Sequence, residues 1–483
     1  MVYTSINTLK MNKKRRLLIY VLFLISAVFT QAQTIQKEQD GVIFNTPSNA
    51  FNIKKIKLKV WNDDIIQVIV TPEESFSDKG SLIITEKTDS IPQWNVEETN
   101  KEVILHTQSL VARIDKQNYH IGFSKTDGTV LLSETGKNLQ FAEVAGEKCY
   151  SIKQLFQYSN NESLYGLGSY MDGEVRLNSK KITMLQRNRE DVVPLIVSTN
   201  HYGILWDNYS LSEFNDTKGE FYLWSEVADE INYFFIYGEN TDKIIASYRQ
   251  LTGKAPMFPK WAFGYMQSKQ KYNTQDEIVS IVKNFRDLKF PLDLIIQDWQ
   301  YWPDGQWGQK SFNRKNYPNP QKMMNDIHGM NTKIIISIWP NMALGCPNNI
   351  EIAKINNGLL TNKQHLNIML PEARQVYWKQ ANDSLFSYGI DGWWADCSEG
   401  YDSDWTSPYF EHPGVRLTKL NSDEIKKLYG SGRYINSYAL MHTKGLYEGQ
   451  RTTSSPKRVF ILTRSSFAGM QKYGASYWTG DVS

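Results

Sequence analysis

The feature that most constrains the fold is a change of pattern at Pro256–Pro259, beyond which short apolar runs alternate with helical patterns. This alternation is typical of parallel strands, because each strand must be joined to the next by a crossover helix. One such helix is expected to begin at Thr274, since Glu277 three residues later completes a capping box. Residues 255–483 are therefore predicted to form a barrel of parallel strands and helices.

Six strands are predicted in this segment. They are Trp261–Met266, Leu292–Gln297, Lys333–Ile338, Gly389–Ala395, Arg458–Thr463 and Ala475–Thr479. A closed (β/α)8 barrel requires eight strands. We therefore expect residues 255–483 to be a partial catalytic (β/α)8 barrel, incomplete at its C-terminus, in a chain that is truncated there.

The preceding region, residues 34–254, has a different texture. Short runs of alternating apolar and polar residues, such as Lys57–Trp61 and Leu110–Ile114, are separated by turn residues without helical periods between them. The Asp127-Gly128 pair between two such runs is a strong hairpin signal. This pattern predicts an N-terminal β-sandwich, so the expected fold class is multidomain, with the sandwich followed by the barrel.

Residues 1–33 are predicted to be a secretory signal peptide. Lys13–Arg16 forms a basic region, Leu17–Phe29 is apolar, and Thr30–Ala32 ends in a small residue. We expect an exported protein, periplasmic or secreted, with no membrane span after cleavage. The 54 basic and 51 acidic residues nearly balance, so nothing points to nucleic acid as a partner.

Six side chains are predicted to converge where barrel strands end. They are Asp298, Trp339, Trp394, Asp396, Arg464 and Asp481. Strand ends of a parallel barrel form its active-site face, and a pair of carboxylates there is the requirement of glycoside hydrolysis. Other interpretations remain open at this point: Asp396 as a helix cap, Arg464 as a structural ion pair, and both tryptophans as core residues.

Two motifs narrow this choice. Trp394–Glu399 and Trp478–Asp481 resemble the nucleophile and acid/base motifs of glycoside hydrolase family 31. The resemblance implies that Asp396 is the nucleophile and Asp481 the acid/base of a retaining double displacement. It also implies that the sugar is bound by Asp298, Trp339, Trp394 and Arg464. Glu399 would support these residues without contacting the sugar.

The same resemblance extends to the first domain, where Glu162–Gly168 is similar to the galactose mutarotase-like sandwich of the family. A loop of that sandwich reaches the substrate cleft in the family. The candidate loop here is Gln186–Asp191, but a charged run is more often a solvated loop, and we leave it out of the predicted site. Complete family members continue beyond a sixth strand, and a sugar-contacting histidine is expected in that further part.

The substrate expected from the resemblance is α-linked xylose at the end of an oligosaccharide or polysaccharide. Met266–Tyr272 and Gly392–Trp394 look more like bacterial α-xylosidases than the starch-directed α-glucosidases of the family. Small pocket differences of this kind are worth only about 1–3 kcal/mol, so α-glucosidase is the alternative. A transglycosylase and a non-catalytic glycan-binding protein are the candidates from other functional classes.

Neither a cofactor nor a metal is predicted. Cys397 follows Asp396 directly, but no histidine lies near it in sequence to activate a thiol nucleophile. Asp396 and Glu399 lack a suitably placed histidine for a metal site. The sequence gives no prediction of the oligomeric state.

Overall fold

A computed structural model describes residues 35–46, 50–86, 92–159, 161–170, 173–401 and 419–480 of the 483-residue chain. The predicted signal peptide and Asp481 lie outside the described residues. Among the helices that are described, none is long and apolar enough to cross a bilayer.

The N-terminal region forms two antiparallel sheets. In the described residues its strands are β1 (Ile35–Glu38), β2 (Gly41–Asn45), β3 (Lys55–Asn62), β4 (Ile65–Thr71), β5 (Asn95–Glu98), β6 (Glu102–His106), β7 (Leu110–Asp115), β8 (Ile121–Lys125), β9 (Val130–Val144), β10 (Glu147–Gln157), β11 (Leu164–Ser169), β12 (Lys181–Met184), β13 (Asp191–Ser198), β14 (Tyr202–Trp206), β15 (Ser212–Thr217), β16 (Glu220–Ala228) and β17 (Ile231–Tyr237). One sheet has the order β1-β2-β3-β4-β17-β14-β13-β11, and the other β12-β15-β16-β10-β9-β8-β7-β6-β5.

Alternation along these strands builds the sandwich core. In β3, Ile56, Leu58 and Val60 are fully buried, whereas the intervening lysines lie on the outer side. The predicted hairpin is present between β8 and β9, where the N–H of Lys125 donates to the carbonyl of Thr129 at 2.9 Å. Gly128 adopts a φ of +90°, which glycine reaches without steric cost. The predicted sandwich is confirmed.

The second region is a parallel sheet with surrounding helices. Its strands, in spatial and chain order, are β18 (Met266–Gln267), β19 (Leu294–Gln297), β20 (Lys333–Ile338), β21 (Gly392–Ala395), β22 (Ile461–Thr463) and β23 (Ala475–Tyr477). The described helices of the chain are α1 (Thr241–Thr252), α2 (Gln275–Asp287), α3 (Pro320–Gly329), α4 (Pro347–Ala353), α5 (Pro371–Ser384), α6 (Lys419–Tyr429) and α7 (Tyr438–Arg451). Short 3-10 turns lie at Ala50–Asn52, Lys260–Phe263, Phe386–Tyr388 and Met470–Tyr473.

The predicted helix start at Thr274 is confirmed. The Thr274 side chain accepts a hydrogen bond from the N–H of Glu277 at 3.1 Å and caps α2. The reciprocal bond falls one residue earlier than in the usual capping box, since Glu277 accepts from the N–H of Asn273 at 2.7 Å.

The first barrel strand differs from the prediction of Trp261–Met266. Residues Lys260–Phe263 form a 3-10 turn, and only Met266–Gln267 pair as a strand. Gly264 is packed so tightly against the Asp293 side chain that a Cβ there would overlap it. The Trp261 ring packs edge-on against Phe460, with 5.3 Å between ring centroids. Trp261 and Ala262 therefore pack against the barrel core instead of extending the strand, and Phe263 is exposed.

Side chains of the barrel strands alternate between two environments. Leu294, Ile296 and Ile335 pack together with Phe460 inside the barrel. Ile334 and Ile336 of the same sheet belong to the main core, which contains the helix residues. This alternation fixes which residues just beyond each strand continue toward the barrel axis.

Candidate active site

The strand ends place three predicted residues on the axial side of the barrel. Asp298 follows Leu294 and Ile296 at the spacing of two that marks the interior face, and Asp396 likewise follows Trp394. Arg464 follows Leu462 in the same way. Since Ala395 pairs with Thr463, the next residues on these strands, Asp396 and Arg464, are neighbours across β21 and β22.

Within the described residues, a backbone N–H and a guanidinium group help to hold Asp396 at its strand end. Its Oδ1 accepts a hydrogen bond from the N–H of Cys397 at 2.8 Å and lies 3.3 Å from Nη1 of Arg464. Its side chain keeps 14% of its surface exposed, whereas that of Arg464 keeps 1%. A buried cation thus helps to orient this carboxylate, part of whose surface remains exposed.

Glu399 fixes the arginine. Nε of Arg464 donates to Oε1 of Glu399 at 2.9 Å, and Nη2 also donates to this oxygen. The hydroxyl of Ser465 donates to Oε2 at 3.0 Å. Both oxygens of the fully buried Glu399 are therefore engaged by protein donors, which fits the predicted supporting role and disfavours a metal ligand.

The groups around Arg464 favour its protonated, positively charged form. Burial alone would lower the pKa of this guanidinium, but Cys397, Glu399 and Asp396 together hold it well above its usual range. Arg464 is consequently a buried ion-pair partner of Asp396 and Glu399, as one of the two interpretations has it, and its contact with a sugar stays a prediction.

Cys397 has a structural position next to Asp396. It adopts a φ of +52°, unusual for a residue with a side chain, and it is fully buried. Its Sγ accepts from Nη2 of Arg464 at 3.1 Å. The thiol therefore packs on the guanidinium behind the carboxylate, an arrangement that suits a positioning role better than attack on a ligand.

The two predicted tryptophans occupy different environments. Trp339 is 3% exposed, donates to the hydroxyl of Ser337 at 2.7 Å, and packs against Trp307 with 4.9 Å between centroids. Trp394 is half-buried and lies against Trp478, with ring centroids 4.3 Å apart. Trp339 is mainly a wall of the site, whereas the pair Trp394 and Trp478 forms an aromatic surface at its rim.

Trp478 is a site residue that sequence reasoning missed. Its signal was present, because it opens the motif Trp478–Asp481. The register extends β23 toward this position, since Thr463 pairs with Tyr477. Gly480 is the last described residue, so the predicted acid/base Asp481 stays a prediction.

Asp298 lies one residue beyond the paired position Gln297 of β19. It is half-buried, and its Oδ1 accepts from the N–H of Trp299 at 2.8 Å. Asp396 makes the same local bond to its following residue. Two strand ends of the described barrel thus orient a carboxylate by one common turn geometry.

The sandwich loop, residues 186–191, is buried rather than solvated. Gln186 donates from its N–H to Asn436 Oδ1 at 2.7 Å and accepts at its carbonyl from the Tyr401 hydroxyl at the same distance. A Cβ on Gly480 would come within 2.7 Å of the N of Arg189, so the loop contacts the backbone beside Asp481. The expectation of a solvated loop was wrong, because its partners lie over 200 residues away in sequence.

This loop ends in a carboxyl with unusual properties. Burial raises the pKa of Asp191 to about 7. Within the loop, Arg187 and Glu190 form an ion pair of 2.8 Å whose members are both largely buried. The sandwich therefore brings charged and titratable groups to the barrel surface beside Gly480.

A buried polar chain supports the turn after β21. The hydroxyl of Ser398 donates to the carbonyl of Ala395 at 3.0 Å and contacts Nδ1 of His442 at 2.8 Å. Nε2 of His442 contacts the Tyr377 hydroxyl at 2.9 Å. Burial lowers the pKa of His442 to about 3, so the imidazole is neutral and fixes the turn by hydrogen bonding.

Comparisons with known proteins match both regions of the chain. The model of the Glycosyl hydrolases family 31 TIM-barrel domain matches residues 255–483. The model of the Glycosyl hydrolase 31 N-terminal galactose mutarotase-like domain matches residues 55–215.

Among curated relatives, an α-xylosidase of Saccharolobus solfataricus is 35% identical over 443 residues, covering 88% of this chain and 58% of the relative. An α-glucosidase of Bacillus thermoamyloliquefaciens is 23% identical and covers 88% of this chain and 56% of its own length. The chain thus spans rather more than half the length of these two relatives.

Among solved structures, a family 31 α-xylosidase from Xanthomonas citri superposes with a TM-score of 0.82 at 24% identity, covering 92% of this chain and 66% of that one. A family 31 dextranase of Flavobacterium johnsoniae, complexed with isomaltotriose, gives 0.78 at 23% identity, with coverages of 92% and 55%. These likenesses concern the fold. With both regions matched by models of one family, the chain belongs to glycoside hydrolase family 31.

Proposed function

We propose that this chain carries the catalytic centre of a retaining exo-acting α-xylosidase, releasing α-linked xylose from oligosaccharides or polysaccharides. The observation that carries the catalytic part of the proposal is the partly open Asp396 carboxylate, oriented by the buried Arg464. A nucleophile needs this combination of a fixed geometry and an accessible oxygen.

In the first step, an oxygen of Asp396 attacks the anomeric carbon and forms a covalent glycosyl ester. The glycosidic C–O bond breaks, and Asp481 gives its proton to the departing oxygen. In the second step Asp481 takes a proton from water, the water oxygen attacks the same carbon, and Asp396 is released as a carboxylate. Two inversions return the α configuration.

The remaining groups position the sugar in this proposal. Asp298 accepts hydrogen bonds from sugar hydroxyls, and Arg464 donates to a hydroxyl while aligning Asp396. Trp394, backed by Trp478, offers an apolar face to the C–H side of the ring. Glu399 acts through Arg464 without contacting the substrate.

The choice of xylose is supported by the relative from Saccharolobus solfataricus, named an α-xylosidase. Its test is the ratio of kcat/KM for 4-nitrophenyl α-xyloside and α-glucoside, measured with the full reading frame of the protein. We expect the xyloside to be preferred. Preference for the glucoside would favour the second candidate, α-glucosidase, which the name of the relative from Bacillus thermoamyloliquefaciens supports.

Two further outcomes would point to a transglycosylase or to a non-catalytic protein. Transfer products formed from an oligosaccharide in place of free sugar would identify a transglycosylase, as the names of two Sporosarcina globispora relatives suggest for their own activities. Binding of glycan without release of sugar or product would identify a non-catalytic protein.

The stereochemistry has its own test. Proton NMR of the first turnovers should record α-xylose before mutarotation, as double displacement requires. In the Asp396→Ala variant, added azide should form a glycosyl azide of inverted configuration, because the small anion can enter the space left by the truncated side chain. Initial release of β-xylose by the parent enzyme would contradict the retaining mechanism.

We also propose that the protein is exported. The basic and apolar segments within residues 1–33 support this proposal. Sequencing the amino terminus of the protein recovered from its native host should give a mature chain beginning near Gln33. An intact leader on a cytoplasmic protein would contradict export.

A further inference from the structure

A cavity of about 500 Å³ opens on the N-terminal sandwich and contains no barrel residue among its described lining. It lies between the turn at Asp63, the segment leading into β5, and the turn after β6. Its volume falls in the range of about 300–1,000 Å³ that is usual for small-ligand sites.

One aromatic side chain dominates this cavity. Trp94 is half-buried and packs against the sandwich core, and its indole N–H donates to the carbonyl of Gln39 at 3.3 Å. Packing and this hydrogen bond both restrict rotation of the ring. Trp94 is therefore a pre-oriented flat surface, which keeps the entropy cost of binding low.

The polar groups around Trp94 include uncharged amides and one carboxylate. Gln93, Asn95 and Gln108 are exposed, and within the described residues their side chains make no hydrogen bonds to protein. Asp63 uses Oδ1 to accept from the N–H of Gln108 at 3.3 Å. Amide and carboxylate groups offer the mixture of donors and acceptors that vicinal hydroxyls require.

A hydrogen bond joins two of the segments that line the cavity. The hydroxyl of Thr107 donates to the carbonyl of Asp63 at 2.7 Å, which joins the turn after β6 to the turn after β3. These turns belong to the two different sheets of the sandwich. The cavity is thus part of a braced corner of the fold rather than a gap beside a single loop.

The chemistry of the lining selects the ligand class. Neither lysine nor arginine is found among the described lining residues, and the imidazole of His106 in this lining lies 3.8 Å from the carboxylate of Glu97. An anionic ligand would meet no fixed cation, and a lipid or apolar peptide would find little apolar surface beyond the indole and one proline. A neutral saccharide satisfies both parts of the surface, since its C–H face stacks on an aromatic ring and its hydroxyls bind amides.

A second cavity on this domain is also lined by a tryptophan but differs in the charge of its lining. Trp61 lines a cavity together with Arg249, Lys254 and the aliphatic Ile65. That lining is cationic and partly apolar, and its two amides, Asn62 and Gln250, are hydrogen-bonded to each other at 3.0 Å. Trp61 is consequently a matched control for Trp94.

We propose that the Trp94 cavity is a non-catalytic binding site for neutral polysaccharide, separate from the barrel site. The proposal rests on the proposed function only for the choice of probe. Such a site would hold a polymer near the enzyme while the barrel removes terminal sugars.

The test is affinity electrophoresis of the full chain carrying Asp396→Asn, so that the polymer is not degraded, in native gels with and without xyloglucan. We expect xyloglucan to retard the protein. Trp94→Ala should weaken the apparent affinity about tenfold, as expected for loss of a stacked aromatic group. Trp61→Ala should leave the retardation unchanged.

Gln93→Ala combined with Asn95→Ala gives a second measurement, because both side chains are exposed and their truncation spares the core. This double variant should weaken retardation severalfold. Equal retardation of parent, Trp94→Ala and the double variant would overturn the proposal, as would an equal loss in Trp61→Ala or no retardation of the parent.

Failure here is distinguishable from failure of the proposed function. With Asp396 intact, Trp94→Ala should hydrolyse 4-nitrophenyl α-xyloside at the parent rate, because the described lining of the Trp94 cavity contains no barrel residue. Absence of hydrolysis would count against the barrel proposal alone, whereas the gel result reports on the sandwich alone.

Discussion

Strand β21 is flanked by two aspartates, and the comparison of its two ends separates support from chemistry. Before the strand, Asp391 is 4% exposed and is bound by His328 at 2.7 Å, Lys457 at 2.9 Å and the N–H of Ile334 at 3.1 Å. After the strand, Asp396 is 14% exposed and lies 3.3 Å from Nη1 of Arg464. The Asp391 carboxylate is almost inaccessible, whereas the Asp396 carboxylate keeps part of its surface exposed.

The difference follows from the direction of a parallel barrel. Strand beginnings face the closed end, where an ion cluster contributes only to stability, and strand ends face the loops that build a site. Burial would raise the pKa of Asp391, but His328 and Lys457 lower it below its usual value. Near-complete burial of a carboxylate therefore indicates a structural role at this strand, and partial exposure marks a place that a substrate can contact.

The largest expected effect is on activity at the open end. Asp396→Asn should lower kcat by about ten-thousand-fold, because the amide does not attack the anomeric carbon. The melting temperature should change little, since the amide oxygen still accepts from Cys397. A matched calorimetric scan of both proteins checks this. A large fall in the melting temperature would contradict the contrast between the two strand ends, because Asp396 would then contribute to stability as Asp391 does.

The second largest effect is expected at Glu399, which binds Arg464. Glu399→Gln should lower kcat about a hundredfold and the free energy of unfolding by about 3 kcal/mol, since it removes the buried partner of Arg464. Kinetics and urea unfolding on the same preparation separate the two effects. Ser465→Ala removes only one donor to Glu399 and should have a smaller effect on both. An unchanged kcat in Glu399→Gln would contradict the proposal that Glu399 positions Arg464 for catalysis.

At the closed end, Asp391→Asn should lower the free energy of unfolding by about 2 kcal/mol at pH 7 and leave kcat per folded molecule unchanged. Because the folded pKa is depressed, this stabilisation is present above the unfolded pKa of about 4 and is lost as the pH falls further. Urea unfolding of parent and variant at pH 7 and at acidic pH measures the change. A fall in kcat would contradict the assignment of this end to stability.

The smallest effect concerns a carboxyl in the sandwich. Burial raises the pKa of Glu230 to about 7, so the unfolded state ionises first as the pH rises and stability is lost up to that value. Glu230→Gln keeps an acceptor for the N–H of Ser77, which lies at 3.1 Å, and should add about 1 kcal/mol at pH 8. The gain should vanish toward pH 4, as thermal scans at both values would record.

Sequence patterns predict local features of this chain well. Strand Lys333–Ile338 agrees with the structure at both ends, because a run rich in isoleucine lies between Thr332 and Pro340. The alternation of interior residues also places Asp298, Asp396 and Arg464 correctly at strand ends. In these cases the deciding interactions lie within a few residues of the pattern.

Prediction fails where distant segments decide. The charged composition of residues 186–191 is that of a solvated loop, and only contacts with Asn436 and Tyr401 account for its burial. Trp261 has the pattern of a strand residue, but its ring packs against that of Phe460, which lies far along the chain. The same limit applies to Arg464, because a sequence pattern does not show how one guanidinium is shared between two carboxylates.

The contact between the sandwich loop and Gly480 has an evolutionary consequence. Gly480 adopts a φ of +86°, and the loop backbone leaves no room for a side chain there. Recombination that joins this barrel to a sandwich from another lineage would replace the loop at that contact. We therefore expect the two regions to be inherited as one unit, with specificity diverging through paired changes on both sides of the contact.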